Sequence, residues 1–265
     1  MQRDLNKTKD LIIQWIKEVR PLIVQSFDQP LTIETKENLN DLVTDIDRGV
    51  ETFLNEKINS HFPMDNIVGE EGINNNENSI EGYTWYIDPI DGTMNFVHQK
   101  ENFCVSVAVY HKNIGIIGVI YDVMMDDFYY AIKGQGAYKN GVPLIPLKDV
   151  PLQEALIGMN SSWLIPNKKV NYERMVEVIR SIRGARSYGS ACLELANVAM
   201  QKLDAYLSLN LSPWDYASGK IIVEELGGVA LNLKSESLDV RTKKSTILIG
   251  NKNVCEKILA IINKA

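Results

Sequence analysis

The chain has 265 residues, 45% of them apolar and 23% charged, which is the composition of a globular protein with a sizeable core. Its net charge of −6 argues against a nucleic-acid-binding protein with a broad basic face, but not against an anionic substrate, because a bound cation reverses the field around carboxylates. No stretch is long and apolar enough to span a bilayer, so we expect a cytoplasmic protein that binds neither nucleic acid nor membrane.

The first half of the chain begins with two predicted helices. Apolar residues recur at helical spacing from Leu5 to Ile23, which predicts an amphipathic helix that is bent or interrupted at Pro21. The acidic segment DLVTDID follows at residues 41–47, and apolar residues resume helical spacing from Val50 onward. We expect the second helix to begin just after that segment.

From Tyr83 onward the sequence is typical of strands. The segments TWYID, CVSVAVYH, NIGIIGVIYDVM and DFYYAI are rich in β-branched and aromatic residues and are separated by turn-forming groups. The Asn140-Gly141 pair in GQGAYKNGVPL predicts the turn of a further hairpin. Successive hairpins imply substantial antiparallel pairing.

The second half alternates between helices and strands. Helical patterns cover residues 170–182 and 191–203, a helix ends at Gly227-Gly228, and a final helix runs through Ile262; the strands are AYLSL, VALNL and STILIG. This alternation indicates a layered α/β arrangement. Since no Pro/Gly/Ser-rich tract or run of one charge sign offers a linker, we expect one domain over residues 1–265, with an α+β first half and an α/β second half.

The cysteines give neither a disulfide framework nor a zinc site. Cys104, Cys192 and Cys255 are odd in number, widely separated and without CxxC spacing. We expect three buried free thiols.

The most informative segment is WYIDPIDGTMNF, residues 85–96. It leads from a strand through two acids into a turn and a helix start, and we expect Pro89 to prevent the strand from simply continuing and to hold Asp88 and Asp91 at its exit. The backbone N–H groups of Gly92 and Thr93 would then point outward at a helix N-terminus, an arrangement that suits a phosphate. Taken alone, Asp91 could instead cap the helix and Asp88 could simply end the strand.

Two further acidic segments strengthen the case for a functional cluster. GEEG, residues 69–72, places Glu70 and Glu71 where a strand passes into a loop, so these carboxylates have no helix to cap. PWDYASG, residues 213–219, puts Asp215 at the start of a helix, where capping is the alternative role.

Together these segments resemble the inositol monophosphatase family, and the match covers nearly the whole chain. It rests on DLVTDID, GEEG, DPIDGTMNF, GSA at residues 189–191, LDAY at residues 203–206 and WDYASG, in the order and spacing of the family. DPIDGT followed by a distal WDxAxG is a specific signature. The resemblance implies a layered αβαβα sandwich of the inositol monophosphatase and fructose-1,6-bisphosphatase type, a phosphatase that hydrolyses phosphate monoesters, and a homodimer.

The resemblance also implies two or three Mg²⁺ ions. It assigns Glu70, Asp88 and the backbone carbonyl of Ile90 to a first ion, Asp88, Asp91 and Asp215 to a second, and a weaker third ion to the vicinity of Glu70. Hard Mg²⁺ prefers such oxygen ligands and binds phosphate oxygens directly. One ion would activate water and the other would stabilise the leaving oxygen, without a phosphoenzyme.

Three residues beside these ligands are further candidates. Thr93 has a hydroxyl that can orient the water, and Asp47 matches the family residue that hydrogen-bonds to this threonine; helix capping is the alternative role for Asp47. Either Glu70 or Thr93 takes the proton. Lys36 falls where the family has a mobile loop that closes on the site, and its rival role is that of a solvated lysine.

The substrate side of the site is less well marked. By resemblance, the substrate-binding residues are Asp91, Gly189, Ser190, Ala191 and Asp215, with Glu71, Glu194 and Ser208 as further candidates. Ser190 could instead serve only as a helix cap. Seven residues before Asp215, where animal enzymes place a glutamate that binds a sugar hydroxyl, this chain has Ser208.

That substitution favours a broader or larger range of substrates. We expect inositol monophosphate first, with NADP 2′-phosphate, fructose 1,6-bisphosphate or another sugar phosphate as alternatives, and we expect inhibition by lithium. Two other functions are rivals to that of a phosphatase. A Mg²⁺-dependent nuclease would need the basic groove that is missing, and a regulatory binding protein of transcription or ribosome complexes would not need every expected ligand.

Overall fold

The structure, a computed structural model, describes residues 3–29, 32–35, 42–73 and 82–264. In that part of the chain the α-helices are α1 (Leu5–Gln25), α2 (Asp45–His61), α3 (Thr93–His98), α4 (Tyr172–Ser181), α5 (Ala191–Ala199), α6 (Pro213–Glu225) and α7 (Lys252–Ile262). The strands are β1 (Ile33–Thr35), β2 (Leu42–Thr44), β3 (Asn66–Gly69), β4 (Tyr83–Asp91), β5 (Cys104–His111), β6 (Ile114–Asp122), β7 (Asp127–Ile132), β8 (Ala137–Lys139), β9 (Val142–Pro143), β10 (Leu156–Met159), β11 (Gly184–Arg186), β12 (Ala205–Leu211), β13 (Val229–Leu231) and β14 (Ser245–Gly250). Short 3₁₀ turns lie at Ser26–Asp28, Leu152–Glu154 and Ser161–Leu164.

The first large sheet follows chain order. Strands β3 to β9 lie side by side, with β3 parallel to β4 and the later neighbours antiparallel. The β8–β9 hairpin turns at Asn140 and Gly141, which have φ of 48° and 81°. Positive φ at both positions is what a two-residue hairpin turn requires, so the predicted Asn-Gly turn is confirmed.

The second large sheet is mixed, with strand order β11-β10-β12-β14-β13. Strand β10 pairs in parallel with β11 and β12, whereas β14 is antiparallel to β12 and β13. The helices between these strands carry the chain back across the sheet, which is the arrangement that the alternating pattern of the second half predicts.

Three apolar clusters lie between the five layers of the structure and pack them together. One joins α1 and α2 to the outer face of the first sheet, where Trp15 and Trp85 are buried. A second joins α5 and α6 to the inner faces of both sheets, and a third covers the outer face of the second sheet with α4 and α7. The predicted αβαβα sandwich is therefore confirmed.

Two helix boundaries differ from the predictions at the start of the chain. Helix α1 continues through Pro21 to Gln25, so the predicted interruption is wrong. Pro21 lies on the exposed side, and the buried residues Val19 and Ile23 hold the turns around it against the sheet. Helix α2 begins at Asp45, inside the acidic segment, because Thr44 and Asp47 form a reciprocal capping box there.

Helix α5 is shorter than predicted. It ends at Ala199, not Leu203, because the chain reverses at Gln201, where φ is +54°. The carbonyl of Asn197 accepts hydrogen bonds from the backbone N–H groups of Lys202 and Leu203, which satisfies the open end of the helix. As for the bilayer, none of the described helices combines the length and apolar character that crossing it requires.

Candidate active site

Four acids from three separate segments meet in one open cavity. Glu70 follows β3, Asp88 and Asp91 lie on β4, and Asp215 lies in the first turn of α6. The cavity has a volume of about 240 Å³. Other residues singled out from the sequence line it as well: Ile90, Gly92, Thr93, Gly189, Ser190, Ala191, Glu194 and Ser208.

An irregularity in β4 turns Asp88 and Asp91 toward the same cavity. As predicted, the strand does not simply continue at Pro89: its pairing to β5 shifts between Asp88 and Asp91, and it ends at Asp91. Side chains three positions apart in a regular strand point to opposite faces. The shift removes that alternation, and Ile90 packs into the opposite core.

Asp88 is the most exceptional of the four acids. It is 2% exposed, and its Oδ1 atom is a buried oxygen with no hydrogen-bond partner among the described residues. Burial, followed by the charges of Glu70, Asp91 and Asp215, raises its pKa well above the usual aspartate value. A buried carboxylate among like charges is unfavourable unless it is protonated or a cation joins it.

Asp91 ties β4 to the start of α5. Its carboxylate accepts hydrogen bonds from the Ser190 hydroxyl and from the backbone N–H groups of Ala191 (3.2 Å) and Cys192 (2.6 Å). Burial raises the pKa of Asp91, and these donors oppose that shift. Ser190 also accepts from the Leu193 N–H as the N-cap of α5, so its capping role and its place in the site coexist.

Asp215 combines capping with a place in the acidic cluster. Its Oδ2 atom accepts the backbone N–H of Ser212 at 2.7 Å, which completes a capping box at the start of α6. Burial and then the charges of Glu70 and Asp91 raise its pKa well above the usual value. Asp215 thus caps α6, as the alternative role predicted, and its carboxylate also lies at the cavity.

Thr93 and Asp47 form a hydrogen-bonded pair beside the acids. The Thr93 hydroxyl lies 3.3 Å from Asp47 Oδ1 and 3.1 Å from the carbonyl oxygen of Ile90. Asp47 is fully buried and also accepts from the backbone N–H of Thr44 at 2.9 Å. Burial is the main cause that raises the pKa of Asp47 to about 7.

Gly92 connects the strand to α3 in a conformation that favours glycine. Its φ is +97°, and a Cβ atom there would lie 3.1 Å from both the Asn102 carbonyl oxygen and Ser190 Cβ. The turn therefore needs both the backbone freedom and the missing side chain of glycine. Thr93, the first residue of α3, consequently faces the cavity.

On the other side of the cavity, Glu194 holds the loop that precedes α5. Its Oε1 atom accepts the backbone N–H of Tyr188 at 2.7 Å, and burial raises its pKa to about 7. Ser208 lines the same side and is 2% exposed. Both residues thus lie where substrate selectivity can be set.

Two of the described candidates do not line the cavity. Asp47 is connected to it through its contact with Thr93, and Glu71 is not among the lining residues, although its backbone N–H is bound nearby. Lys36 lies outside the described residues. The cavity also contains residues that the sequence analysis missed, namely Asn160, Trp163, Ser187, Tyr206 and Leu211. Apart from Tyr206, which lies in the LDAY segment, no motif marks them, because only the fold brings their segments to the acids.

The cysteines are free and buried, as predicted. Two of them lie beside the site: the sulfur atoms of Cys104 and Cys192 are within 4.8 Å of each other and of an Asp91 carboxylate oxygen. Cys104 donates to Asp91 and Cys192 donates to the Asp215 carbonyl oxygen. These two thiols therefore fill space next to the acids and hydrogen-bond to Asp91 and to the backbone of Asp215.

The comparison with known proteins identifies the family. The chain matches the model of the inositol monophosphatase family over residues 4–265. It belongs to the inositol monophosphatase family. An inositol-1-monophosphatase of Bacillus subtilis (strain 168) is 44% identical over 245 residues, which cover 92% of each chain.

Solved structures of the inositol monophosphatase family have the same fold. Inositol monophosphatase II of Staphylococcus aureus MSSA476 has a TM-score of 0.85 at 38% identity, over 96% of this chain and 92% of that one. SaIMPase-II with bound inositol monophosphate has a TM-score of 0.84 at 36% identity, over 96% and 92%. An IMPase/NADP phosphatase complexed with Mg²⁺ and phosphate has a TM-score of 0.90 at 28% identity, over 99% and 97%. This member of the inositol monophosphatase family is accordingly a phosphatase that hydrolyses phosphate monoesters.

Proposed function

We propose that the protein is a Mg²⁺-dependent phosphatase that acts on inositol monophosphate. The observation that carries this proposal is the convergence of Glu70, Asp88, Asp91 and Asp215 at one cavity, where a buried Asp88 oxygen has no hydrogen-bond partner among the described residues. Such a group of hard oxygen donors fits Mg²⁺. The relatives named as inositol monophosphatases and the neighbour with bound Mg²⁺ and phosphate support the same metal and substrate.

We assign the metal ligands as the sequence suggests. Glu70, Asp88 and the carbonyl oxygen of Ile90 would hold one Mg²⁺, and Asp88, Asp91 and Asp215 would hold a second, with a weaker third ion near Glu70. The Ile90 carbonyl accepts a hydrogen bond from Thr93 and keeps a second lone pair for a cation. When bound, the ions supply Lewis-acid stabilisation of the phosphate and of the leaving oxygen, and they lower the pKa of water.

The residues beside the acids prepare the water for attack. Asp47 fixes the Thr93 side chain, so the threonine oxygen keeps a lone pair directed at water in the cavity. Either Glu70 accepts the proton, or Thr93 accepts it while passing its own hydroxyl proton to Asp47. We assign phosphate binding to the backbone at Gly92 and Thr93, where α3 begins. Together these groups would place water on one side of the phosphorus and the leaving oxygen on the other.

The alcohol part of the substrate would lie against the loop before α5. We assign its recognition to Gly189, Ser190 and Ala191, together with Asp91 and Asp215. Each of these residues lines the cavity next to the acids. A polyol hydroxyl could exchange hydrogen bonds with the carboxylates and with the backbone of this loop.

A second candidate substrate is NADP, at its 2′-phosphate. Ser208 lines the cavity at the position where animal enzymes have a glutamate that binds inositol. Its short neutral side chain leaves room for a larger group. The neighbour named as an IMPase/NADP phosphatase supports this alternative. Fructose 1,6-bisphosphate and other sugar phosphates are further candidates for the same reason of space.

We also infer that the protein acts as a single-domain homodimer in the cytoplasm. The resemblance to the inositol monophosphatase family implies the homodimer. The sequence has no Pro/Gly/Ser-rich tract or charge run that would serve as a linker, which supports one domain over residues 1–265. Light scattering during size-exclusion chromatography would give twice the 29.9 kDa chain mass for a dimer. A peak at the chain mass would overturn this assembly.

The experiment that tests the proposed function is phosphate release from a substrate panel. The panel contains inositol 1-phosphate, NADP, fructose 1,6-bisphosphate and adenosine 3′,5′-bisphosphate, each assayed with Mg²⁺ and with chelator. We expect Mg²⁺-dependent release, fastest from inositol 1-phosphate. Faster release from NADP would select the second candidate, and no release from any compound would favour the regulatory function instead.

A further inference from the structure

Helix α2 carries a buried polar stripe on the side that faces the acidic cluster. Asp47, Glu51 and Asn55 are spaced by four residues, so they lie on one face of the helix, and each is fully buried. Apolar residues such as Val50 and Leu54 fill the neighbouring positions. Buried acids and amides are unfavourable unless they are hydrogen-bonded, so the partners of this stripe indicate what it does.

The partners of the stripe are segments of the candidate active site. Asp47 contacts the Thr93 hydroxyl, as described above. Glu51 accepts two backbone hydrogen bonds, from the N–H of Glu71 at 2.7 Å and from the N–H of Ile73 at 2.8 Å. Asn55 donates to the carbonyl oxygen of Ile73. The stripe therefore bonds to the loop that follows β3 at three backbone atoms.

The Glu51 carboxylate also lies against the end of β3. A Cβ atom at Gly69 would come within 2.4 Å of the Glu51 side chain, which is closer than any contact that real Cβ atoms make. Glycine at this position is what allows the carboxylate to reach under the loop. The GEEG motif thus needs its first glycine for a contact with α2.

Glu70 is held between two fixed points. On one side its own N–H donates to the Ile87 carbonyl oxygen at 3.1 Å, and Ile87 immediately precedes Asp88 on β4. On the other side the next N–H, that of Glu71, is held by Glu51. The backbone that carries Glu70 is therefore bound to β4 and to α2 at consecutive residues.

We propose that Glu51 is a positioning residue that sets the location of Glu70 relative to Asp88 and so tunes the affinity of the site for a divalent cation. This inference rests on the proposed metal site and adds a residue that the site assignment does not contain. Groups that orient metal ligands through hydrogen bonds typically contribute about 10–100-fold to metal affinity or activity. Glu51 differs from a merely structural buried acid because both of its bonds end on the Glu70 loop.

The test compares Mn²⁺ binding to the full chain and its variants, with free Mn²⁺ followed by electron paramagnetic resonance. Glu51→Gln keeps the size of the side chain but offers one acceptor oxygen to two N–H donors, so one bond is lost. Glu51→Asp keeps the charge but shortens the reach, and Glu56→Gln removes an exposed charge from the same helix as a control. We expect the Kd for Mn²⁺ to rise about 10–100-fold for both Glu51 variants and less than twofold for the control.

A second readout follows the loop itself. Hydrogen exchange at the amides of Glu71 and Ile73 should become at least about tenfold faster in Glu51→Gln, while exchange in α6 stays unchanged. Wild-type Kd values in both Glu51 variants would overturn the proposal, as would a uniform rise in exchange, which would indicate a structural role only. Wild-type protein that binds Mn²⁺ but releases no phosphate would refute the proposed function, and the Kd series would still decide the role of Glu51. Wild-type protein that binds no Mn²⁺ would overturn both.

Discussion

Replacing Asp88 with asparagine separates the two roles that a buried acid can have, in the fold and in the chemistry. Asp88 is 2% exposed, Oδ1 has no partner among the described residues, and burial, followed by the charges of three other carboxylates, raises its pKa. Asp88→Asn has the same size and removes one like charge from this group. The metal-free variant should therefore be at least as stable as the parent, with a Tm equal to or above the parent value.

The same substitution should remove activity. Asp88 is assigned to both Mg²⁺ ions, and the metal contribution to such a reaction is usually several kcal/mol. A loss of about 4 kcal/mol corresponds to a roughly 10³-fold lower kcat, since each 1.36 kcal/mol is a factor of ten. The assay is phosphate release at saturating Mg²⁺, with Tm measured with and without chelator.

A matched control for this variant is Asp149→Asn, because Asp149 is exposed and away from the acidic cluster. It removes the same unit of charge and should leave kcat and Tm unchanged. Turnover of Asp88→Asn within about threefold of the parent would refute the two-metal assignment. A large drop in the Tm of the metal-free variant would refute the claim that Asp88 is a source of repulsion in the fold.

Three further predictions concern the residues around the acids. Thr93→Val should lower kcat about 10²-fold with little change in KM, because it removes the hydroxyl that orients water; an equal rise in KM would contradict that role. Burial raises the folded-state pKa of Asp47 to about 7, above the ordinary 3.8, so its contribution to stability is complete below about pH 4 and is lost as the pH rises through 7. The Tm of the metal-free protein should thus fall between about pH 5 and 8, and saturating Mg²⁺ should raise Tm more at the higher pH; a flat metal-free profile would refute this. Lithium should inhibit release by occupying the second Mg²⁺ position after turnover, and a titration without inhibition at any Mg²⁺ level would contradict it.

The sequence singles out the four acids that line the cavity because they stand at or near the ends of elements. Glu70 follows a strand between glycines, and Asp215 begins a helix after Pro213. Turn and capping residues mark such positions locally. For the same reason the Asn-Gly hairpin could be predicted, whereas the five-layer architecture was predicted from the family resemblance.

The errors have a common physical cause in tertiary packing. Pro21 was expected to bend or interrupt the first helix, but the helix continues to Gln25 because its buried face holds it against the sheet. Strand β11 was missed because Gly184, Ala185 and Arg186 carry no strand signal of their own. Its neighbour β10 supplies the pairing that makes it a strand.

Residues that act through long-range contacts were also missed. Trp163 lines the cavity from a turn that no motif contains, and Tyr206, although it lies in the LDAY segment, was not singled out because only the fold brings its strand to the acids. Glu51 had a usable signal, since an acid four residues after Asp47 interrupts the apolar face between Val50 and Leu54. That pattern predicts a buried carboxylate with a partner, but the partner is revealed only by the fold.

The most direct test of the account is a crystal of the wild-type protein grown with Mn²⁺ and phosphate and measured at the manganese absorption edge. The account predicts two anomalous peaks next to the Asp88 carboxylate. One should also contact Glu70 and the other should also contact Asp91 and Asp215, with metal–oxygen distances of about 2.0–2.2 Å. Phosphate density should lie between these peaks and the start of α3. An anomalous map without a peak at Asp88, with phosphate bound elsewhere, would contradict the assignment of these carboxylates as the metal centre.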